Sequence, residues 1–289
     1  MRSKLFVPGS RPELFEKAYT SAADAISFDL EDAVAEARKA EARVLVADAF
    51  RHRPDAGRKI VIVRVNGHAT AHFDADLEAV VRDGLDAINV PKVEGAEDIR
   101  IAARKLEALE RARGLKRAIG VLANIETPRG VRLAAEIAAA DRRVIGLQLG
   151  FGDLFEPFGI SRAEPSTLNA IRLNVRLAAA ESGIPVYDGA FVDIPDRAGF
   201  RAEAEAAHRL GLSGKSCVHP SQIEIANAVF VPHPAEIAHA RKVVVAADEM
   251  LARGVGAFTV EGALVDGPFI ARARAIVAAA EEAEHGSRK

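Results

Sequence analysis

The 289 residues are 49% hydrophobic and 28% charged, proportions that give a globular protein with a large core. Lys plus Arg number 39 against 41 Asp plus Glu, and Trp is absent, so neither a clustered basic face nor a base-stacking surface supports nucleic-acid binding. No apolar run approaches a membrane span, residues 5–7 are too short for a signal-peptide core, and the single Cys217 forbids an intrachain disulfide; together these predict a cytoplasmic protein acting on small molecules.

In chain order, short β-branched runs at 4–7, 25–29, 59–66, 87–91, 118–125, 144–150, 185–191 and 214–218 read as strands buried on both faces. Amphipathic stretches at 11–21, 33–52, 73–83, 95–113, 129–139, 165–182, 196–210 and 221–228 read as the intervening helices. Pro12 and Pro128 suit a first helical turn, and Gly84, Gly114, Gly183 and Gly211 sit where left-handed caps are needed. Eight strand-then-helix units predict an α/β fold, a (β/α)8 TIM barrel over residues 1–231. A doubly wound sheet is disfavoured because no Gly-rich dinucleotide loop follows the first strand. Two more helices near 234–253 and 268–284, joined through Gly254, Gly256 and Gly262, predict a C-terminal helical extension over 232–289 that serves as lid or oligomer arm.

Active sites of such barrels gather at the C-terminal strand ends. Those ends carry Asp29-Leu30-Glu31-Asp32, Arg64-Val65-Asn66, Pro91-Lys92, Glu126-Thr127-Pro128, Gly150-Phe151-Gly152-Asp153, Asp188-Gly189 and His219-Pro220. Glu126 and Asp153 follow adjacent strands, and paired carboxylates without soft ligands suit Mg²⁺; the alternative is that each caps a helix. Arg64 either clamps a substrate carboxylate and offsets developing charge, or forms a structural ion pair with Glu31 or Asp32. Glu31 and Asp32, too acidic to bury unpaired, are read as groups that orient metal-bound water and Arg64. His68 and His72 read as solvated surface, His219 equally as a site contact or a strand-end hydrogen-bonding group, and Cys217 as core.

The segments RSKLFVPGS, DAISFDLEDAV, VRVN, GLDAINVPKVE, ANIETPRGV, LQLGFGDL, GKSCVHPSQI and GALVDGPFI, in that order, resemble the citrate lyase β-subunit-like lyases of the HpcH/HpaI aldolase group, which include malyl-CoA and citramalyl-CoA lyases. The resemblance runs from Arg2 to about Ile276. It implies Mg²⁺ on Glu126 and Asp153, and Arg64 on the keto-acid part of an acyl-CoA substrate. It also implies Lys17 as a CoA contact, and Asp266 as a proton donor and acceptor reaching a neighbouring subunit of a homo-oligomer, a trimer. The expected chemistry is cleavage of a 3-hydroxyacyl thioester to an acyl-CoA and a 2-oxo acid. A thioesterase, a CoA-independent aldolase or a non-catalytic subunit working with an acyl carrier remain alternatives. Phe151 and Ser216-Cys217 depart from the family pattern, which puts the shape of the acyl pocket and the packing of the eighth strand in question.

Overall fold

The computed structural model describes residues 1–51 and 59–286. Eight parallel strands close into one barrel in chain order: β1 (Ser3–Pro8), β2 (Ala25–Asp29), β3 (Ile60–Arg64), β4 (Ala87–Val90), β5 (Gly120–Ile125), β6 (Val144–Leu149), β7 (Val186–Asp188) and β8 (Gly214–Cys217). Around them run α1 (Phe15–Thr20), α2 (Lys39–Arg51), α3 (Phe73–Val80), α4 (Ala96–Arg113), α5 (Pro128–Arg132), α6 (Ala134–Ala138), α7 (Phe151–Phe155), α8 (Pro165–Glu181), α9 (Arg197–Arg209) and α10 (Ile223–Val229). The TIM barrel expected from the βα period is therefore the fold. All four expected capping glycines have positive φ, from 64° at Gly114 to 94° at Gly84.

The differences are local. The helix expected at 33–52 starts late, with a 3₁₀ turn at Glu36–Arg38 before α2, and its last residue, His52, lies outside the described residues. The expected helix at 129–139 divides at Leu133, and the short α7 follows β6 where none was anticipated. Among the described residues no helix is long and apolar enough to cross a membrane.

Side chains in register on neighbouring parallel strands share a face. The pairs Pro8–Asp29, Asp29–Arg64, Arg64–Asn89 and Asn89–Leu122 therefore set one interior-facing row across β1 to β5. Deeper in the lumen, Ala25, Ile62, Ala87 and Leu122 form a dry plug. The opposite faces carry the main core between sheet and helices, including Leu5, Val7, Ile26, Phe28, Val61 and Val63. Each large apolar side chain buried there contributes about 1.5–3 kcal/mol.

Met1–Phe230 form one compact unit and Val231–Lys289 a second. In the second, α11 (Pro234–Ala252) and α12 (Gly267–Gly286) enclose a small core of Val243, Ala247, Val260 and Val265. Their connector is not the bare glycine hinge that the sequence suggests. It is a hairpin of β9 (Phe258–Val260) and β10 (Ala263–Val265), turned at Glu261 and Gly262 with φ of 52° and 86°. Two successive left-handed residues match the twist of a tight hairpin.

Asp188 is corrected by the structure. It alternates with Tyr187 on β7 and faces the helices, not the lumen. Arg172 on α8 forks onto it with two bonds of 2.9 Å, and Lys215 on β8 donates to it at 2.6 Å and to Glu203 at 3.0 Å. Burial alone would raise the Asp188 pKa, but the charges of Lys215 and Arg172 bring it below the usual value. The group ties α8 and α9 to the barrel wall. We expect Asp188→Ala, which strands two buried cations, to lower the unfolding free energy by about 3–5 kcal/mol in urea titrations; a loss under about 1 kcal/mol would deny the network that role.

Candidate active site

The C-terminal strand ends enclose a cavity of about 800 Å³, lined among others by Glu31, Asp32, Asn66, Lys92, Thr127 and Arg129. Its electrostatics start from Arg64 at the end of β3. The Arg64 Nε and Nη2 fork onto both oxygens of Asp29 at 2.8 and 2.5 Å. Nη1 lies 2.8 Å from Glu31 and 3.7 Å from Asp32. Burial by itself would lower the Arg64 pKa, but Asp29 and Glu31 raise it. Arg64 thus makes an ion pair with Glu31 and a further one with Asp29, a partner that the strand reading did not single out. The fork takes two of the five guanidinium N–H donors. Lys39 fastens the same loop, donating to the carbonyls of Leu30 and Glu31 at 2.9 Å each.

Lys92 is the second cation of the mouth, noted in the sequence as a strand-end residue but given no role there. Its φ of 50° puts a non-glycine residue in the left-handed region, a strained choice. That geometry lets its backbone N–H reach Glu126 Oε1 at 2.8 Å while its Nζ lies 2.7 Å from Glu31 and 3.3 Å from Asp153. Against the lowering effect of burial, Glu31, Asp32 and Asp153 raise the Lys92 pKa. The only sequence signal was a charged residue directly after a buried strand.

Glu126 is 2% exposed and its pKa is raised to about 7, chiefly by burial. The Lys92 N–H and Arg64 oppose that rise, and the charges of Glu31 and Asp153 add to it. Asn124 Nδ2 approaches both carboxylate oxygens, at 3.4 and 3.2 Å. Gly150 makes the space: a Cβ there would stand 2.1 Å from Glu126 Oε2. The capping alternative fails for both acids. Thr127 caps α5 through its hydroxyl at 3.0 Å from the Gly130 N–H, Gly150 stands at the N-cap of α7, and Asp153 lies inside the first turn.

The donor set fits a hard divalent cation. The ion-paired cluster sets four carboxylates, Asp29, Glu31, Asp32 and Asp153, against Arg64 and Lys92, and buried Glu126 adjoins it. Among the described residues no three His, Cys, Asp or Glu side chains are grouped to cage a metal. Two carboxylates with the remaining positions left to water and substrate oxygens is how Mg²⁺ is ordinarily held.

The other sequence candidates fall in different places. Lys17 stands exposed in the last turn of α1 and is not among the cavity-lining residues. Asp266 belongs to the second unit, ahead of α12, with its Oδ1 buried and lacking a hydrogen-bond partner. His68 lines the cavity 3.6 Å from Asp98, whereas the sequence placed it on a solvated surface. His72 bridges Glu36 at 2.6 Å and Arg43 at 3.2 Å. His219 accepts the Ser221 N–H at 3.2 Å and so closes its own turn. Phe151 is buried against Phe155 at a centroid distance of 5.4 Å. Cys217 is a core thiol, pushed up to about 12 by burial.

Known proteins resemble this chain along most of its length. The family model described as HpcH/HpaI aldolase/citrate lyase matches residues 2–220. A (3S)-malyl-CoA thioesterase of Cereibacter sphaeroides is 41% identical over 97% of this chain and 94% of its own length. An L-malyl-CoA/beta-methylmalyl-CoA lyase of Rhodobacter capsulatus is 36% identical over 98% of this chain and 95% of its own length. The crystal structure of CitE from Mycobacterium tuberculosis, in complex with magnesium, acetoacetate and coenzyme A, superposes with a TM-score of 0.75 at 33% identity, covering 97% of this chain and all of that one.

A carboxyl whose folded pKa is raised stabilises the protein below its unfolded pKa, and that stability is lost as pH climbs through the folded one. Metal-free protein should therefore lose up to about 3 kcal/mol between pH 4.5 and about 7 relative to Glu126→Gln. Urea unfolding in chelator across that range checks this, and parallel pH profiles for the two proteins would contradict it.

Proposed function

Because the chain belongs to the HpcH/HpaI aldolase/citrate lyase family, we propose that it is a Mg²⁺-dependent carbon–carbon lyase acting on a 3-hydroxyacyl thioester such as malyl-, citramalyl- or citryl-CoA. The products are an acyl-CoA and a 2-oxo acid, and the same site serves the reverse condensation. The observation that carries this reading is Glu126: a carboxylate kept buried at a barrel mouth, in space cleared by Gly150, with a second carboxylate on the next loop. Such an arrangement is costly unless a cation completes it.

Glu126 and Asp153 are the residues that would hold Mg²⁺, which supplies Lewis-acid stabilisation for the carboxylate and oxo oxygens of the 2-oxo acid. Arg64 meets the same acid through the N–H groups outside its fork on Asp29, offsetting charge at the carbinol oxygen. Glu31 and Asp32 keep the guanidinium in place. As the C–C bond breaks, the carbinol hydroxyl gives up its proton to water, the carbinol carbon becomes the oxo carbon, and the electron pair of the broken bond passes to the thioester as an enolate. Asp266 gives that enolate a proton in cleavage and removes it in condensation. Lys17 contributes positive charge towards the CoA phosphates, and Asp266 serves an adjacent protomer of a closed homotrimer.

A second reading is a thioesterase acting on the same substrates, supported by the 41% identity to the malyl-CoA thioesterase. Products separate the two: a lyase yields acyl-CoA and oxo acid, whereas hydrolysis yields free CoA and an intact hydroxy acid.

A panel of malyl-, citramalyl- and citryl-thioesters assayed with Mg²⁺ should give 2-oxo acid from at least one. Chelation, Glu126→Gln or Asp153→Asn should remove turnover while the fold persists; full activity after exhaustive chelation would refute the metal assignment. Mixing inactive Glu126→Gln and Asp266→Ala proteins under subunit exchange should restore part of the activity. Demonstrated exchange without recovery would place Asp266 outside a shared site.

A further inference from the structure

Lys4 lies on β1, facing the lumen one layer beneath the mouth, and is 1% exposed. Burying an amine there costs several kcal/mol unless hydrogen bonds or a charge partner offset it. Its neighbours in register are Ser216 on β8 and Ala25 on β2. The Lys4 Nζ sits 4.2 Å from the centre of the Phe6 ring and 3.4 Å from Asn89 Oδ1.

From Asn89 the hydrogen bonds run one way. Asn89 Nδ2 donates to Asn124 Oδ1 at 2.7 Å, and Asn124 Nδ2 faces Glu126 at 3.2 and 3.4 Å. The chemistry of the first group sets the sense of the others. Lysine offers its N–H groups to the Asn89 oxygen, so the Asn89 amide nitrogen must face Asn124, and Asn124 must then turn its own nitrogen to the carboxylate. The Leu122 carbonyl, accepting from Asn89 at 2.9 Å, holds the same orientation. A reversed amide at Asn124 would set oxygen against oxygen at Glu126.

We propose that Lys4 is a positioning residue for Glu126, heading a buried relay through Asn89 and Asn124 that aims the carboxylate into the mouth. The proposal rests on the reading of Glu126 as a divalent-cation ligand. Outer groups that orient a ligand commonly matter about tenfold or more for metal affinity. Burial, reinforced by the Arg64 charge, lowers the Lys4 pKa against the pull of Asp29 and Glu126.

The test is Mg²⁺ titration calorimetry on the full-length protein without substrate, with melting temperature measured alongside. Lys4→Met, which keeps the volume and loses the donor, should weaken binding about tenfold. Asn89→Leu should do the same, and the double variant should lose no more than either single one, because all three break one chain. The sign is diagnostic: if Lys4 were only a nearby positive charge, its removal would tighten cation binding. Unchanged or tighter binding by Lys4→Met, or additive losses in the double variant, would overturn the proposal. Should Lys4→Met not fold, Asn89→Leu decides alone, and wild-type affinity in that variant ends the relay. Equal Mg²⁺ binding by wild type and Glu126→Gln would instead remove Glu126 as a ligand, and the relay would fall with that reading.

Discussion

A guanidinium forked onto a buried carboxylate is the constraint on which the mouth of this barrel is built. Arg64 and Asp29 stand side by side in the register of β3 and β2, and neither can be buried without the other. Once they are joined, the chain beyond Asp29 must turn where Glu31 can reach the same guanidinium. The helix expected from residue 33 starts only at Lys39, after a 3₁₀ turn. Lys39, from the first turn of that delayed helix, then secures the turn through its carbonyls.

The same constraint shapes the electrostatics. Arg64 is largely spent on its neighbours, so little positive charge is left for the other acids. Lys92 serves three of them, Glu31, Asp32 and Asp153, at distances of 2.7, 3.6 and 3.3 Å. Glu126 receives a backbone N–H but no side-chain cation at bonding distance among the described residues, and burial lifts its pKa to about 7. The result is a cavity short of cations beside a carboxylate that is easily protonated, a state that a dication entering with its substrate would relieve.

The sequence makes the barrel legible because its strands are short, β-branched and bounded by breakers, and because its helices end on glycines that only a left-handed cap requires. Glu126 and Asp153 draw notice for a related reason: Glu126 directly follows an apolar strand, and Asp153 sits in the first helical turn after the next one. What is not legible depends on facing and register. Asp188 ends a strand as well, yet one step of alternation turns it to the helices. Asp29 looks like one acid among three in DLED until strand pairing puts it opposite Arg64. Lys92 acquires its contacts from a backbone conformation that nothing in its residue type announces. The hairpin at Glu261–Gly262 was concealed by strands of three residues, too short to show alternation.

Lys92 also bears on how this protein could be improved by engineering. Its left-handed backbone is a conformation that glycine takes freely and lysine does not, a difference of about 1–2 kcal/mol. A campaign guided by stability alone would therefore reach this position early and find the relaxed substitution attractive. The gain would come from the residue that holds Glu126 with its main chain and three other acids with its side chain. Thermal robustness and a working mouth are in conflict at this one position, and the chain keeps the strain.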